Sequence, residues 1–251
     1  MKKAIAVLIL VVLVFSLTGC CLKHEWKDAT CTEPKTCAKC GKTEGEPTGH
    51  LHAEWKEDSI NILKAKRALV QVCEDCGREI DDKTEDINSF IDGDVFLFTA
   101  KEFVERLQSC YDKQDDGGLP LKFRYAINNY GNVNFDVYNQ YDTWLAWGIF
   151  YDVEGKALKE ANEDGKINCV AIFVPTQEGI ELDAAYYLLN WLGEAACLAI
   201  DPAVTDIEVY SDPIFNNTYA DGEGEMLHGL TYSCGLSDDN EFSIYIEIPT
   251  E

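Results

Sequence analysis

Basic side chains are scarce. The 251-residue chain sets 21 Lys and Arg against 45 Asp and Glu, a formal charge of −24, and neither lysine nor arginine follows Lys166. A surface of that sign repels phosphate backbones. This excludes a general nucleic-acid binder and points to cationic partners or to neutral ligands held by local contacts. A long apolar run is missing as well: the N-terminal stretch Ala4–Leu17 falls short of the roughly 20 residues that a spanning helix needs. Catalytic signatures are absent. There is no Gly-x-Ser-x-Gly, no His-Glu-x-x-His and no Gly-x-x-x-x-Gly-Lys-Ser/Thr, and of 4 histidines only His228 lies beyond residue 83. What the chain does have is a 46% hydrophobic composition, enough for a packed core, and 11 cysteines. Its length accommodates one ordinary domain plus a smaller module.

The N-terminus carries an address. Met1-Lys2-Lys3 is a basic n-region, Ala4–Leu17 an apolar h-region, and Leu17-Thr18-Gly19-Cys20 closes the segment. That ending resembles the bacterial lipoprotein lipobox. The resemblance implies a signal peptide over residues 1–19, diacylglyceryl on the Cys20 sulfur, and a protein anchored at the extracytoplasmic face of the cell membrane; two acyl chains suffice for stable attachment. A soluble secreted protein cut nearby is the alternative. Beyond the signal, charge is uneven. Residues 21–83 hold 11 basic and 13 acidic side chains, whereas residues 84–251 hold 8 and 32. The shift marks two modules, 20–83 and 84–251.

The first module repeats itself. Glu25-Trp26-Lys27-Asp28 returns as Glu54-Trp55-Lys56-Glu57, and Cys37-Ala38-Lys39-Cys40-Gly41 as Cys73-Glu74-Asp75-Cys76-Gly77. A histidine precedes each tryptophan, His24 and His52. Two cysteines three apart on a tight turn aim both sulfurs at one ion, and the following glycine permits the left-handed backbone that closes the turn. Thiolates with imidazoles suit tetrahedral Zn²⁺, so the expectation is one or two structural zinc ions. The candidate ligands are His24, Cys31, Cys37, Cys40, His50, His52, Cys73 and Cys76. Spacing leaves three groupings open. One takes Cys31, Cys37 and Cys40 with His24 or His50. Another takes Cys73, Cys76 and His52; it lacks a counterpart to Cys31 and either borrows a histidine from the first unit or is a degenerate, empty repeat. The third is a four-cysteine ribbon of Cys37, Cys40, Cys73 and Cys76.

Residues 24–50, from His24-x-Trp26 through Cys31, Cys37-x-x-Cys40-Gly41 and Gly49-His50, resemble a short zinc-ribbon-like repeat of bacterial surface proteins and lipoproteins; residues 52–80 match it more loosely. The resemblance implies a structural metal and says little about activity. Exported cysteines also form disulfides, which is the competing reading of this set. A redox Cys-x-x-Cys would need a strand–helix–strand frame that is not apparent nearby. A module this small lacks the core to fold alone, so metal binding would contribute its folding energy.

For residues 84–251 the patterning predicts α+β: an antiparallel sheet with two main helices. Thr99-Ala100-Lys101-Glu102 has the form of a capping box, and Phe103, Val104, Leu107, Cys110 and Tyr111 make one apolar stripe behind it. Strands are expected over 123–128, 133–138, 144–151, 168–175, 207–210, 227–232 and 242–248, with a helix over about 181–200. Trp144 and Trp147, an odd number apart, should face opposite ways on a regular strand. Asn162-Glu163-Asp164-Gly165 reads as a turn, since a calcium loop begun at Glu160 would place Ala171 where an acidic ligand is needed. Asp221-Gly222-Glu223-Gly224-Glu225 reads as a solvated acidic loop. His228 with Cys234 is the one nucleophile–base pairing close in sequence, and Cys110, Cys169 and Cys197 read as buried thiols or disulfide partners.

The expectation is therefore a membrane-anchored extracytoplasmic lipoprotein in which a structural zinc module presents an acidic, non-catalytic binding domain to a protein or small ligand of cationic character. An extracytoplasmic Cys/His hydrolase and a zinc capture or delivery protein are the alternatives.

Overall fold

The computed structural model describes residues 23–114, 119–176, 182–204, 225–237 and 241–249. The expected signal segment, Cys20, the expected strand at 207–210 and the expected acidic loop at 221–224 lie outside them. The chain divides into two compact units: Met1–Ser59 with Ala68–Thr84, and Ile60–Arg67 with Glu85–Glu251. Eight residues inside the cysteine-rich stretch, Ile60–Arg67, thus count with the second unit. Among the described residues no helix is long and apolar enough to cross a membrane.

The first unit is built of short strands. β1 (Trp26–Lys27), β2 (Lys35–Cys37) and β3 (Thr43–Glu44) form one three-stranded sheet; β4 (Ala53–Asn61), β5 (Lys66–Cys73) and β6 (Glu79–Asp86) form another. Little apolar surface is covered here. β6 is exposed along its whole length, and among the described residues of the unit the buried side chains are Cys31, Cys37 and Cys73. A unit without an aliphatic core needs cross-links of another kind.

The second unit is α+β, as the patterning predicts. A small hairpin, β7 (Ile91–Asp92) with β8 (Val95–Phe96), leads into α1 (Ala100–Tyr111). Thr99 caps this helix. Its hydroxyl accepts the Glu102 N–H at 3.3 Å, while Glu102 Oε2 accepts the Thr99 N–H at 2.8 Å, a reciprocal capping box. Then come β9 (Leu121–Ile127), β10 (Val133–Asn139), β11 (Trp144–Tyr151), β12 (Cys169–Pro175), α2 (Leu182–Ile200), β13 (Glu225–Leu227), β14 (Leu230–Leu236) and β15 (Glu241–Glu247). The seven strands make one antiparallel sheet in the order β13-β14-β15-β12-β11-β10-β9.

α1 packs on β9 and β10, α2 on β12 and β15, and the helices touch each other. Period-two alternation sends Val170, Ile172, Val174, Ile244 and Ile246 into this core, with Phe103, Phe135 and Phe150 clustered at centroid spacings of 5.6–5.9 Å. The opposite sheet face carries a second cluster, Ile149, Ala171 and Phe173, joined by Trp147, Tyr151 and Tyr245.

Two local expectations are corrected. The segment 227–232 is a hairpin, because His228 (φ 50°) and Gly229 (φ 81°) make a two-residue turn between β13 and β14. Left-handed φ at both central positions matches the right-handed twist of the strands, and histidine tolerates that region better than most residues. Second, Trp144 and Trp147 share a face. The register shifts between Val137 and Tyr138, where Leu145 is the extra residue, so Asp136 lies opposite Trp147 and also accepts from Trp144 Nε1 at 3.1 Å. Asn162–Gly165 is a turn, as expected, tied by Gly165 N–H to Asn162 O at 2.9 Å.

Candidate metal centre

Each Cys-x-x-Cys-Gly segment folds into the same tight turn. Gly41 N–H donates to Cys37 O at 2.9 Å and Gly77 N–H to Cys73 O at 2.8 Å, with φ of 70° and 69° at the two glycines. The first cysteine of each turn also donates its N–H forward, Cys37 to Lys42 O at 2.8 Å and Cys73 to Arg78 O at 2.9 Å. Only glycine reaches this φ without cost, which is why it follows both pairs. The residue after the first cysteine is pinned to the strand of its own repeat: Ala38 N–H to Glu25 O and Glu74 N–H to His52 O, both 2.8 Å.

These turns assemble two donor clusters. Cys31, His50, Cys73 and Cys76 bring four ligand atoms within 4.8 Å of one another; His24, Cys37 and Cys40 bring three. The separations suit a metal. A tetrahedral ion with sulfur bonds of roughly 2.3 Å and nitrogen bonds of roughly 2.0–2.1 Å has S···S edges of about 3.8 Å and S···N edges of about 3.6 Å. The structure has Cys31 Sγ···Cys73 Sγ at 3.6 Å, Cys76 Sγ···His50 Nδ1 at 3.6 Å and Cys40 Sγ···His24 Nδ1 at 3.4 Å. The chain therefore holds Cys/His groups able geometrically to bind a metal ion.

Neither cluster is one of the full groupings that spacing offered, although Cys73 and Cys76 do take a histidine, His50, from the first stretch, residues 24–50. Cys31 leaves the pair Cys37/Cys40 and joins the second repeat, because Thr48 N–H donates to Thr30 O at 2.9 Å and lays the chain before His50 beside Cys31. His50, not His52, is the structural counterpart of His24. His52 stands outside both clusters, its Nδ1 3.0 Å from Asp75 Oδ2 with both side chains half exposed or more. The four-cysteine ribbon is not formed. A signal for the pairing was present in the order of parts: reading histidine-then-turn as the unit leaves Cys31 over, free to serve the next repeat.

Thiol ionisation follows the same contacts. Burial pushes the Cys37 thiol up, but hydrogen bonds from the His24 ring and from the backbone N–H groups of Lys39 and Cys40 outweigh it and hold it at about 6. The His50 ring does most to lower Cys73, also to about 6, against burial. Burial first, then the neighbouring Cys73 and Cys76, raises Cys31 to about 11. Each cluster thus holds one thiol poised to lose its proton, Cys73 in the first and Cys37 in the second, and Cys31 is a thiol that a cation would have to deprotonate. A cleft of about 530 Å³, lined by Thr30, Cys31, Thr48, Leu51 and Cys76, opens beside the four-donor cluster.

No family model, curated protein or solved structure matches this chain.

In the second unit the structure separates the pair that sequence proximity suggested. His228 Nδ1 lies 2.5 Å from Oδ2 of Asp201, whose side chain is 6% exposed; Asp201 Oδ1 also accepts the Ala203 N–H at 2.9 Å. Cys234 sits four residues beyond Leu230, about 13 Å along the strand, on the side that packs into the core. Asp201 and His228 line a small cleft of about 140 Å³ with Asn88, Ser89 and Ile91. Asp201 gave no signal in the sequence, since it ends a helix as an ordinary polar residue. Among the described cysteines no disulfide is formed. Burial raises Cys110 and Cys197 and pushes Cys169 up to about 12, the condition of inert thiols.

Proposed function

We propose that this protein is a membrane-anchored extracytoplasmic lipoprotein whose first unit is folded by structural zinc and whose second unit is an acidic, non-catalytic binding domain. The observation that carries the metal part is the four-donor cluster Cys31, His50, Cys73 and Cys76, drawn from chain 45 residues apart and from both repeats. A three-thiolate, one-imidazole set favours Zn²⁺ over harder cations, and since cysteines are the buried side chains among the unit's described residues, the ion takes the role of a core. The lipobox-like Leu17–Cys20 supports the anchor at the membrane surface. The net of 8 basic against 32 acidic side chains in residues 84–251 supports a cationic partner, protein or small ligand. Elemental analysis of the full chain, purified reduced in detergent, with parallel thiol titration, tests the metal reading. One or two zinc ions per chain with the cluster thiols protected is the expected result; metal-free protein whose thiols pair on mild oxidation overturns it. Mass analysis of the N-terminal peptide for diacylglyceryl on Cys20 tests the anchor.

A further inference from the structure

The helices of the second unit cover one face of its seven-stranded sheet. α1 and α2 pack on the face that carries Val170 and Ile172, and among the described residues no helix of this unit lies on the other. Cross-strand register puts on that other face Asp136 of β10, Trp147 of β11, Phe173 of β12, and Glu241, Tyr245 and Glu247 of β15. The rings form a layer. Trp147 reaches over β12 and donates from Nε1 to Glu241 Oε1 at 3.2 Å, so its indole lies on Phe173, with centroids 4.4 Å apart and planes 16° from parallel. Tyr245 meets Phe173 edge to face at 5.7 Å. Phe173 is buried beneath, whereas Trp147 is half-buried. One face of the indole is used on Phe173, so its exposure is that of the opposite face. The charge around this layer has one sign: β11, β12 and β15 contain no Lys or Arg. Burial, then Cys169 and Glu241, raise the Tyr245 hydroxyl, and Glu247 adds to the burial that pushes Cys169 up.

One edge of the same face shows what such a surface holds. Arg124, opposite Asp136, lays its guanidinium over Tyr138 at 4.4 Å from the ring centroid and donates from Nη2 to Asp142 Oδ1 at 2.5 Å. A ring face and a carboxylate are contacts that a guanidinium makes at once, since it is planar and carries five donors and no acceptor. Trp147 with Glu241 repeats that pairing, and so does Trp144, whose Nε1 donates to Asp136 Oδ1 at 3.1 Å. Among the described residues no Lys or Arg stands over either indole. We propose that this face, centred on Trp147, Phe173 and Glu241, is the docking surface for an arginine-bearing segment of a partner protein. The inference deepens the reading of the second unit as a domain for cationic partners and rests on it. Arginine fits better than lysine, because a guanidinium stacks flat on the indole while its N–H edge reaches the carboxylate beside it. An acidic segment is repelled by the same carboxylates.

The test uses the full chain in detergent and a labelled peptide of alternating arginine and glycine. Binding is followed by fluorescence anisotropy at about 0.15 M salt, where attraction beyond about 8 Å is screened. Wild type should bind the peptide. Trp147→Ala removes no charge yet should weaken binding about tenfold, and Trp147→Phe should recover most of the loss. Glu241→Gln should weaken it about tenfold, whereas Glu79→Gln on β6, the same loss of charge in the first unit, should change it less than about twofold. A citrulline peptide, alike in shape but uncharged, should fail to saturate. The thermal transition of the large sheet reports whether each variant is folded; where Trp147→Ala lowers it, Glu241→Gln against Glu79→Gln decides. Full affinity in a folded Trp147→Ala, or equal losses in Glu241→Gln and Glu79→Gln, overturns the proposal. Equal affinity for citrulline assigns the face to an uncharged occupant, and a wild-type dimer that Trp147→Ala disperses assigns it to a second copy; either overturns the proposal too. Wild-type protein that ignores the arginine peptide sinks the cationic-partner reading itself, whereas binding indifferent to Trp147 and Glu241 sinks this inference alone.

Discussion

Arg106 carries a full charge into the core of the second unit and is 8% exposed. Every direction of its guanidinium is used: Nε donates to Ala199 O at 2.7 Å, Nη2 to Leu198 O at 3.2 Å, and Nη1 to Ile62 O at 3.0 Å and Leu63 O at 3.2 Å. It thus satisfies carbonyls at the end of α2 that no intrahelical donor reaches, and its charge complements the negative end of that helix. Arg106→Met keeps the volume and strands those carbonyls, so stability should fall by about 1–3 kcal/mol, read as a lower urea midpoint. Gly148 is a second residue with one solution. A Cβ there would lie 2.2 Å from Phe135 Cζ and 2.8 Å from Ala171 O, and Phe135 is its cross-strand partner. Gly148→Ala should cost about 1–3 kcal/mol by overpacking, with the same readout. Neither residue is legible in a pattern of apolar periods, since one is charged and the other has no side chain.

At the scale of elements, local chemistry and long-range pairing divide the work. The capping box at Thr99 is complete in four residues and was readable as such; Thr99→Ala should remove about 1 kcal/mol. Five strands of the large sheet, β9 to β12 and β15, were readable one by one from their alternating or continuous apolar patterns. The turn at His228-Gly229 escaped notice because Asn-Gly, not His-Gly, is the usual mark of that geometry. The bulge beside Tyr138 was equally hidden, because a register shift is a property of two strands and not of either sequence. The clearest case is Cys31, whose neighbours in sequence are the wrong partners. Cys31→Ser should release one ion and loosen β4–β6, seen as faster amide exchange there, while the Cys37/Cys40 turn keeps its own contacts.

For the whole molecule, the two units rest on different sources of stability. The first has cysteines and histidines where a core would be; the second has aromatic and aliphatic layers under two helices. In the zinc reading, stripping metal with a chelator should therefore unfold the first unit and leave the second folded: near-instant thiol reactivity at Cys31, Cys37, Cys40, Cys73 and Cys76, with little change in the thermal transition of the large sheet. A single joint transition would show that the second unit depends on the ion. Alkali should act the other way round. Cys110, Cys169 and Cys197 have folded pKa values raised above the ordinary thiol value of 9, Cys169 to about 12, and Tyr125, by burial and then by the Glu163 hydrogen bond, rises from 10 to about 12. Groups of this kind stay neutral in the fold while they ionise in the unfolded chain. Their contribution is whole below about pH 9 and is lost as pH climbs toward 12, so the second unit's melting temperature should hold to pH 9 and fall beyond it.

The sequence by itself determined the class of the fold, the capping of α1, five of the seven strands of the large sheet and the roster of sulfur and imidazole donors, because each rests on short-range periodicity or on composition. Only the tertiary structure decided which donors meet. A metal cluster is closed by chain segments brought together over tens of residues, and here a single backbone hydrogen bond from Thr48 to Thr30 sends Cys31 to the second repeat and sets His50, rather than His52, beside it. The same holds for Asp201 with His228, for the shared face of Trp144 and Trp147, and for the four carbonyls gathered by Arg106. Each is a meeting of residues distant in the chain or of two strands whose register neither specifies alone, and contact of that kind has no period to read.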